Sequence, residues 1–245
     1  KLYYMILIDA LFINDGGGKI LLDYLIVQLK KSDLDIYFLL DDRIIGNHPG
    51  IIPERVKYLK GSFIKRHIFY RTNKHQFTKV FCLGNLPPNI RLKATVFTYF
   101  HNLIYLNVSK EFSVKERLKF KLKISILKRI AKNSDYWWVQ SDLIKEKLQL
   151  KFHFDADRIK VMPFYPQFTE LESIIIREKN TYLYVSNATP HKNHQRLIDV
   201  FCQFYNKYQF GKLILTVNKD YPEVLELIES KIKKGYPIEN IGFVD

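Results

Sequence analysis

Three stretches of the sequence carry residue types that can hold an anion or move a proton. Gly16-Gly17-Gly18-Lys19 follows an apolar run, Tyr3 to Ile8, that ends at Asp9. Glycine lets backbone approach a ligand closely. A helix starting there offers free N–H groups and a partial positive charge, favourable to phosphate by ~0.3–1 kcal/mol. The spacing is neither Gly-x-Gly-x-x-Gly nor a Walker loop, and a plain tight turn accounts for the glycines equally well. His101-Asn102 closes a second apolar run, Ala94 to Phe100. An imidazole there can hydrogen-bond a hydroxyl or phosphate, or pass a proton; a purely structural histidine is the plainer alternative. The third stretch is Ser186 to His194, with Asn187, Lys192 and Asn193. Lys192 brings an ammonium to the start of a helix, where it can neutralise a diphosphate. Asn193 is expected to cap that helix by accepting from its first N–H groups. A solvated loop with a surface lysine is the alternative.

These stretches need a scaffold, and the periodicity supplies one. Strands are expected at Tyr3–Ile8, Ile36–Leu40, Thr78–Leu83, Ala94–Phe100, Tyr136–Gln140 and Arg158–Met162. Helices are expected at Lys19–Lys31, Val114–Lys132 and Asp142–Leu150, the last capped by Ser141. A second series runs strand Tyr182–Ser186, helix His194–Tyr208, strand Lys212–Val217, helix Pro222–Lys233 and strand Ile241–Val244. Such alternation specifies α/β layers with doubly wound parallel sheets and right-handed crossovers. Ligands of these sheets bind outside the carboxyl ends of the strands, where all three stretches fall. The expected organisation is one Rossmann-like domain over residues 1–166, a linker over 167–180 and a second α/β domain over 181–245. The roughly 65 residues of the last are too few for a complete domain, so it is expected to be partial.

Lys and Arg number 39 against 25 Asp and Glu, a net charge of +14 that favours anionic partners. Nucleic acid, an anionic membrane surface and phosphorylated small molecules all qualify. Much of the charge lies between Lys110 and Lys132, interleaved with apolar residues. That segment reads either as a core-packed helix with a solvated basic face or as a helix lying on a membrane surface. No nucleic-acid module is recognisable, so nucleic acid is not an expected partner. Hydrophobic residues at 47% and charged residues at 26% exclude a disordered chain. Cys82 and Cys202 sit in apolar runs without Cys-x-x-Cys spacing, which argues for reduced core thiols and against zinc. No apolar run reaches the ~18 residues of a membrane span, and no signal peptide is visible. A cytoplasmic protein is expected, with the inner face of the cell membrane as a second place. Two motif matches are set aside. Asp33-Leu34-Asp35 lies at the start of a strand, away from the crevice. Glu170 and Glu178 have a Glu–seven–Glu spacing but precede the Lys192 loop.

Four segments together resemble glycosyltransferase family 4, bacterial surface-polysaccharide and O-antigen enzymes with the GT-B fold. They are Ile8-Asp9 with Gly16 to Lys19, Gly84-Asn85-Leu86-Pro87-Pro88, Phe100-His101-Asn102, and Tyr182 to Ser186 with Pro190-His191-Lys192-Asn193-His194. They occur in the family's order and span nearly the whole chain. The resemblance implies two Rossmann-like domains, a nucleotide-diphosphate-sugar donor held mainly by the second and a saccharide or lipid-linked acceptor held mainly by the first. Reaction in the cleft between them, retention of anomeric configuration, and no metal or other cofactor are implied as well. Lys192 would contact the donor diphosphate, with Asn187 and Asn193 beside it. Gly17 and Gly18 would approach donor phosphate or acceptor, and His101 would be the cleft histidine.

The sequence departs from the family at two places. Ser186-Asn187 stands where many members have Gly-Arg, which removes one phosphate-binding arginine. The glutamate motif expected downstream of Lys192 does not occur before Asp245, so the 245-residue chain alone is expected to be inactive. Two other readings stand beside the transferase. One is a nucleotide-sugar 2-epimerase of the same fold, which needs no acceptor. The other is a basic binding protein without catalytic activity.

Overall fold

The computed structural model describes residues 5–48, 50–110, 112–165 and 178–244. Its contacts divide the described residues into two units, one of residues 5–108 and 118–165 and one of 109–117 and 178–244. The expected linker over 167–180 lies outside the described residues except for its last three positions, as does Glu170.

The first unit is built on seven strands: β1 (Ile6–Ala10), β2 (Ile36–Asp41), β3 (Val56–Leu59), β4 (Lys79–Cys82), β5 (Thr95–Phe100), β6 (Tyr136–Val139) and β7 (Ile159–Val161). They lie in the order β3-β2-β1-β4-β5-β6-β7, every pair parallel. The order reverses between β1 and β4, and that switch point is where such a sheet opens a crevice at its carboxyl edge. Central strands covered on both faces must be apolar throughout. Leu7, Ala10, Leu39, Leu40, Val80 and Val96 accordingly have no exposed surface.

Side-chain alternation sorts the helices. Helix α1 (Gly16–Leu29) packs Leu21, Leu22 and Ile26 against Ile8, Phe38, Phe81 and Tyr99. Helices α2 (Phe63–Asn73), α3 (Val114–Ile130) and α4 (Asp142–Phe152) cover the opposite face. There Phe69 and Tyr70 meet Val80 and Val96, and Leu127 and Leu148 meet Phe100 and Val139. At the start of α3, Ser113 and Glu116 form a capping box. Ser113 Oγ accepts from Glu116 N (3.2 Å), and the carboxylate accepts from Ser113 N (2.9 Å).

The second unit holds a parallel three-stranded sheet, β10-β9-β8, from β8 (Thr181–Tyr184), β9 (Lys212–Leu215) and β10 (Ile238–Asn240). Helices α5 (His194–Tyr208) and α6 (Pro222–Lys233) enclose its core of Ile198, Phe201, Leu213, Leu215 and Ile228. Among the described residues no helix is long and apolar enough to cross a membrane.

Several expectations need correction. The glycines 16–18 form the first turn of α1, not a loop before it. Gly16 alone takes a left-handed φ of +58°, turning extended Asp15 (φ −150°) into the helix. The last strand is Ile238–Asn240, not Ile241–Val244. Its ladder ends where the Asn240 side chain bonds both Val217 N (2.8 Å) and Val217 O (2.9 Å), and Phe243 beyond it is 71% exposed. Residues 43–77, read without any element, contain β3 and α2. Ser141 precedes α4 but makes no capping bond with its side chain.

Candidate functional site

The crevice edge of the first unit is organised by Asn85, just past β4. Asn85 is buried and takes a left-handed φ of +64°, tolerated by asparagine better than by most residues. Its Oδ1 accepts from the backbone N–H of His101 (2.7 Å) and of Asn102 (3.0 Å), which pins the chain leaving β5 to the chain leaving β4. With that oxygen engaged, the amide nitrogen is the atom facing His101 Nε2, at 3.4 Å. Nε2 is therefore the acceptor, and the ring proton sits on Nδ1. Among the described residues Nδ1 is buried without a hydrogen-bond partner. Burial pushes the His101 pKa down to about 4, so the ring is neutral at pH 7. It presents a hydrogen-bond donor rather than a cation. Asn102, expected to face the crevice with it, instead turns its Oδ1 onto Ile104 N (3.0 Å) to start a short helical turn.

The glycines reach the same place. A β-carbon on Gly18 would lie 3.6 Å from His101 Nε2 and 3.2 Å from Ile13 Cδ1, whereas one on Gly17 would meet nothing within 4 Å. Gly18 thus marks where α1 closes onto the histidine, whereas the β-carbon side of Gly17 faces open space. Gly17→Ala should stabilise the chain by up to about 1 kcal/mol, because Gly17 has an ordinary φ and alanine is the better helix former. Gly18→Val should cost about 1–3 kcal/mol by overpacking Ile13 and His101. Denaturant melts of both variants decide it; equal effects would refute this placement of the two glycines.

Beneath this edge lies a buried group that sequence reasoning missed. Arg66, from α2, donates from Nε to Asp9 Oδ2 (2.8 Å), from Nη1 to Pro87 O (2.8 Å) and from Nη2 to Leu86 O (2.9 Å). Tyr70 donates to the same Asp9 oxygen, and Asp9 Oδ1 accepts from Leu11 N (3.2 Å). Arg66, Asp9 and Tyr70 are each at most 2% exposed. One guanidinium thus ties the end of β1 to the Gly84–Pro88 segment that carries Asn85. Asn133 adds a bond from Nδ2 to Pro88 O (2.8 Å). Burial, ahead of the Asp9 charge, pushes the Cys82 thiol beside them up to about 12, which removes it as a nucleophile.

In the second unit the chain leaves β8, passes Ser186 and Asn187, and makes a short helical turn at Pro190–Lys192. The turn is fixed by Tyr184 Oη donating to Lys192 O (3.0 Å), and Ser186 N donates to Thr216 Oγ1 (3.1 Å). Lys192 and Asn187 are exposed, and Lys192 joins no ion pair among the described residues. Asn193 does not cap α5 as expected. Its backbone is left-handed (φ 53°, ψ 46°) rather than extended, and its side chain makes no capping bond. His194 behind it is buried against Tyr184, with rings 5.1 Å apart; burial, then Lys192, holds its pKa below the ordinary value.

The helix starts differ in one respect. α3, α4 and α6 carry Glu116, Asp142 and Glu223 in their first turns, and α2 is capped by Ser62. Helices α1 and α5 have no acidic residue in the first turn and no side-chain capping bond, although the N-cap position of α1 is Asp15. They are the helices that follow the first strand of each unit, and no side chain bonds their first N–H groups. Asp35, from the discounted Asp-x-Asp, sits at the start of β2 and pairs with Arg55 (2.7 Å). Among the described residues no three His, Cys, Asp or Glu side chains are grouped as for a metal ion.

Comparison with solved structures assigns the fold. A lipopolysaccharide outer core galactosyltransferase, WaaB, in its apo form is similar over 98% of this chain and 68% of its own, with TM-score 0.59 and 16% identity. A UDP-N-acetylglucosamine 2-epimerase from Rickettsia bellii is similar over 98% and 68%, with TM-score 0.55 and 13% identity. An α-glucosyltransferase in complex with UDP-glucose and DNA containing an abasic site is similar over 98% and 67%, with TM-score 0.51 and 11% identity. No family profile and no curated protein sequence matches the chain. The fold is the Rossmann-like α/β architecture of the GT-B class.

Proposed function

We propose that the chain is a glycosyltransferase acting in bacterial surface-polysaccharide synthesis. It would move a sugar from a nucleoside-diphosphate-sugar donor to a saccharide or lipid-linked saccharide acceptor, with retention and without a metal. The observation that carries this reading is the pair of helices, α1 and α5, whose first turns hold no acidic residue and receive no side-chain capping bond. The likeness in fold to a galactosyltransferase and to a glucosyltransferase holding UDP-glucose supports it. In this reading residues 1–166 serve the acceptor and residues 181–245 the donor, joined by 167–180. Cleaving the sugar–phosphate bond leaves negative charge on the diphosphate. In this reading the amides of α5 and the Lys192 ammonium face that charge as it develops, and so stabilise the transition state more than the ground state. Asn187 and Asn193 flank the same loop. On the acceptor side, Gly17 and Gly18 offer backbone, and His101 donates from Nδ1 to a hydroxyl or phosphate oxygen.

Lys192→Ala tests the donor assignment. A charge-assisted hydrogen bond is worth about 1.5–3 kcal/mol, so the Kd for a nucleoside diphosphate should rise roughly 10- to 100-fold. The melting curve should not move, since the side chain is exposed. Titration calorimetry with uridine, guanosine and adenosine diphosphates measures it; an unchanged Kd would remove Lys192 from the site. The likeness to the Rickettsia epimerase favours a second reading, a nucleotide-sugar 2-epimerase. Incubation with donor alone separates the two, because conversion of the sugar at C2 without any acceptor belongs to the epimerase.

A further inference from the structure

We propose that the hydroxyls of Thr216, Thr189 and Tyr184 hold the loop from Ser186 to Lys192 in the shape that receives a diphosphate. The three are then positioning residues, acting through Asn187 and Lys192 without touching the ligand. The inference rests on the reading of that loop as the donor site. Each hydroxyl acts at a different point. At the start of the loop, Thr216 follows β9 and is buried between Leu215 and Val217. Its Oγ1 accepts from Ser186 N (3.1 Å) and donates to Ser186 O at a longer 3.5 Å. One side chain thus engages both backbone groups of a residue just past β8. In the middle, Thr189 Oγ1 donates to Asn187 Oδ1 (3.1 Å). With that oxygen engaged, the group Asn187 offers a ligand is its amide nitrogen, a donor. At the end, Tyr184 Oη donates to Lys192 O (3.0 Å). The tyrosine is itself held in place, because its ring packs against buried His194 and the core of the second unit.

Ala188, between these bonds, is buried in the same core. The loop is therefore anchored along its length while Asn187 and Lys192 stay exposed. A loop that its ligand must order loses affinity to that ordering, whereas one already ordered does not. The Tyr184 and Thr189 bonds are exposed. Water can replace bonds of this kind with little effect on stability. Their consequence falls on the shape of the loop, and so on how well it meets a diphosphate.

Tyr184→Phe, Thr189→Val and Thr216→Val each remove one hydroxyl and nearly keep the shape of the side chain. The test is titration calorimetry, well below the melting temperature, with whichever of uridine, guanosine and adenosine diphosphate the parent binds most tightly. Each variant should raise the Kd about three- to tenfold, the worth of one net hydrogen bond. Tyr184→Phe should act through Lys192, so in a Lys192→Ala chain it should change the Kd by less than about twofold. Thr189→Val should keep its effect there, because it acts through Asn187. A tyrosine with a merely structural role would lower the melting curve and leave the Kd and this coupling alone. Backbone relaxation of the free chain needs no ligand. Order parameters from Asn187 to Lys192 should be about 0.85 in the parent and fall below about 0.6 when Tyr184→Phe and Thr216→Val are combined. The inference falls, with the donor reading intact, if Lys192→Ala raises the Kd and none of the three hydroxyl variants does. It falls in the same way if Tyr184→Phe and Lys192→Ala are additive, or if the loop is already mobile in the parent. It falls together with the donor reading if the parent binds none of the three diphosphates, or if Lys192→Ala leaves the Kd unchanged.

Discussion

Replacing Arg66 with methionine is expected to cost the first unit about 3–5 kcal/mol, the usual effect of stripping a buried charge of its partner. The Asp9 carboxylate would stay behind with Tyr70 and Leu11 N as its remaining donors, and the carbonyls of Leu86 and Pro87 would lose theirs. Domains of this size have only about 5–15 kcal/mol of stability in all, and a loss of ~4 kcal/mol lowers the melting temperature by on the order of 10 °C. Adding Asp9→Asn should recover part of the loss, because a neutral amide oxygen can still accept from Tyr70 without the cost of an unpaired charge. Denaturant unfolding of the wild type, the single variant and the double variant measures both effects. A single variant within 1 kcal/mol of wild type would mean that the pair does not hold the crevice edge together.

The second large effect is a dependence on pH. Burial depresses the folded-state pKa of His101 to about 4, against about 6.5 in an unfolded chain. A depressed histidine keeps the neutral form in the fold, so its contribution is fully present above pH 6.5 and is lost as pH falls from 6.5 towards 4. A gap of that size corresponds to about 3 kcal/mol. His48, His191 and His194 are shifted in the same direction, each chiefly by burial, and add to the slope. The His101 share is isolated by comparing wild type with His101→Gln. The variant should show a clearly shallower fall in unfolding free energy across that window. Parallel curves would show that the His101 ring is not held neutral by its surroundings.

How far the sequence could be read depended on how local the deciding interactions are. Helices α5 and α6 have the expected bounds because a complete helical repeat of apolar positions lies between clear start and stop residues. The central strands were legible as apolar runs for the same reason. Helix α2 was not, since the sequence Phe63-Ile64-Lys65-Arg66 puts a charge where the core position falls. Arg66 is buried because Asp9 awaits it 57 positions earlier, and no local pattern records that. Strand β3 is four residues long at the edge of the sheet, with Lys57 within it, and carries too little periodicity to register.

The site was legible as positions but not as geometry. Gly18 follows β1, which borders the switch point, and His101 follows β5, one strand beyond β4; the topology rule places both at the carboxyl edge of the sheet, and only the side-chain geometry brings them into contact. The role of Asn85 was hinted at by an asparagine after a glycine, a pair that favours turns and left-handed backbone. That its side chain holds the loop of His101 rests on the pairing of β4 with β5. Asn193 and Ser141 were expected as caps from their residue type. Their side chains make no such bond, because residue type cannot announce the backbone dihedrals a cap requires.

The most direct test is to titrate the isotopically labelled chain with uridine diphosphate, then guanosine diphosphate, and follow its backbone amides by NMR. A diphosphate received at the start of α5 should give saturable shifts concentrated in Ser186 to Gln195, with the Lys192 ammonium signal moving along the same isotherm. Shifts that never saturate, or that leave those residues untouched while others respond, would contradict a donor site built on α5 and Lys192.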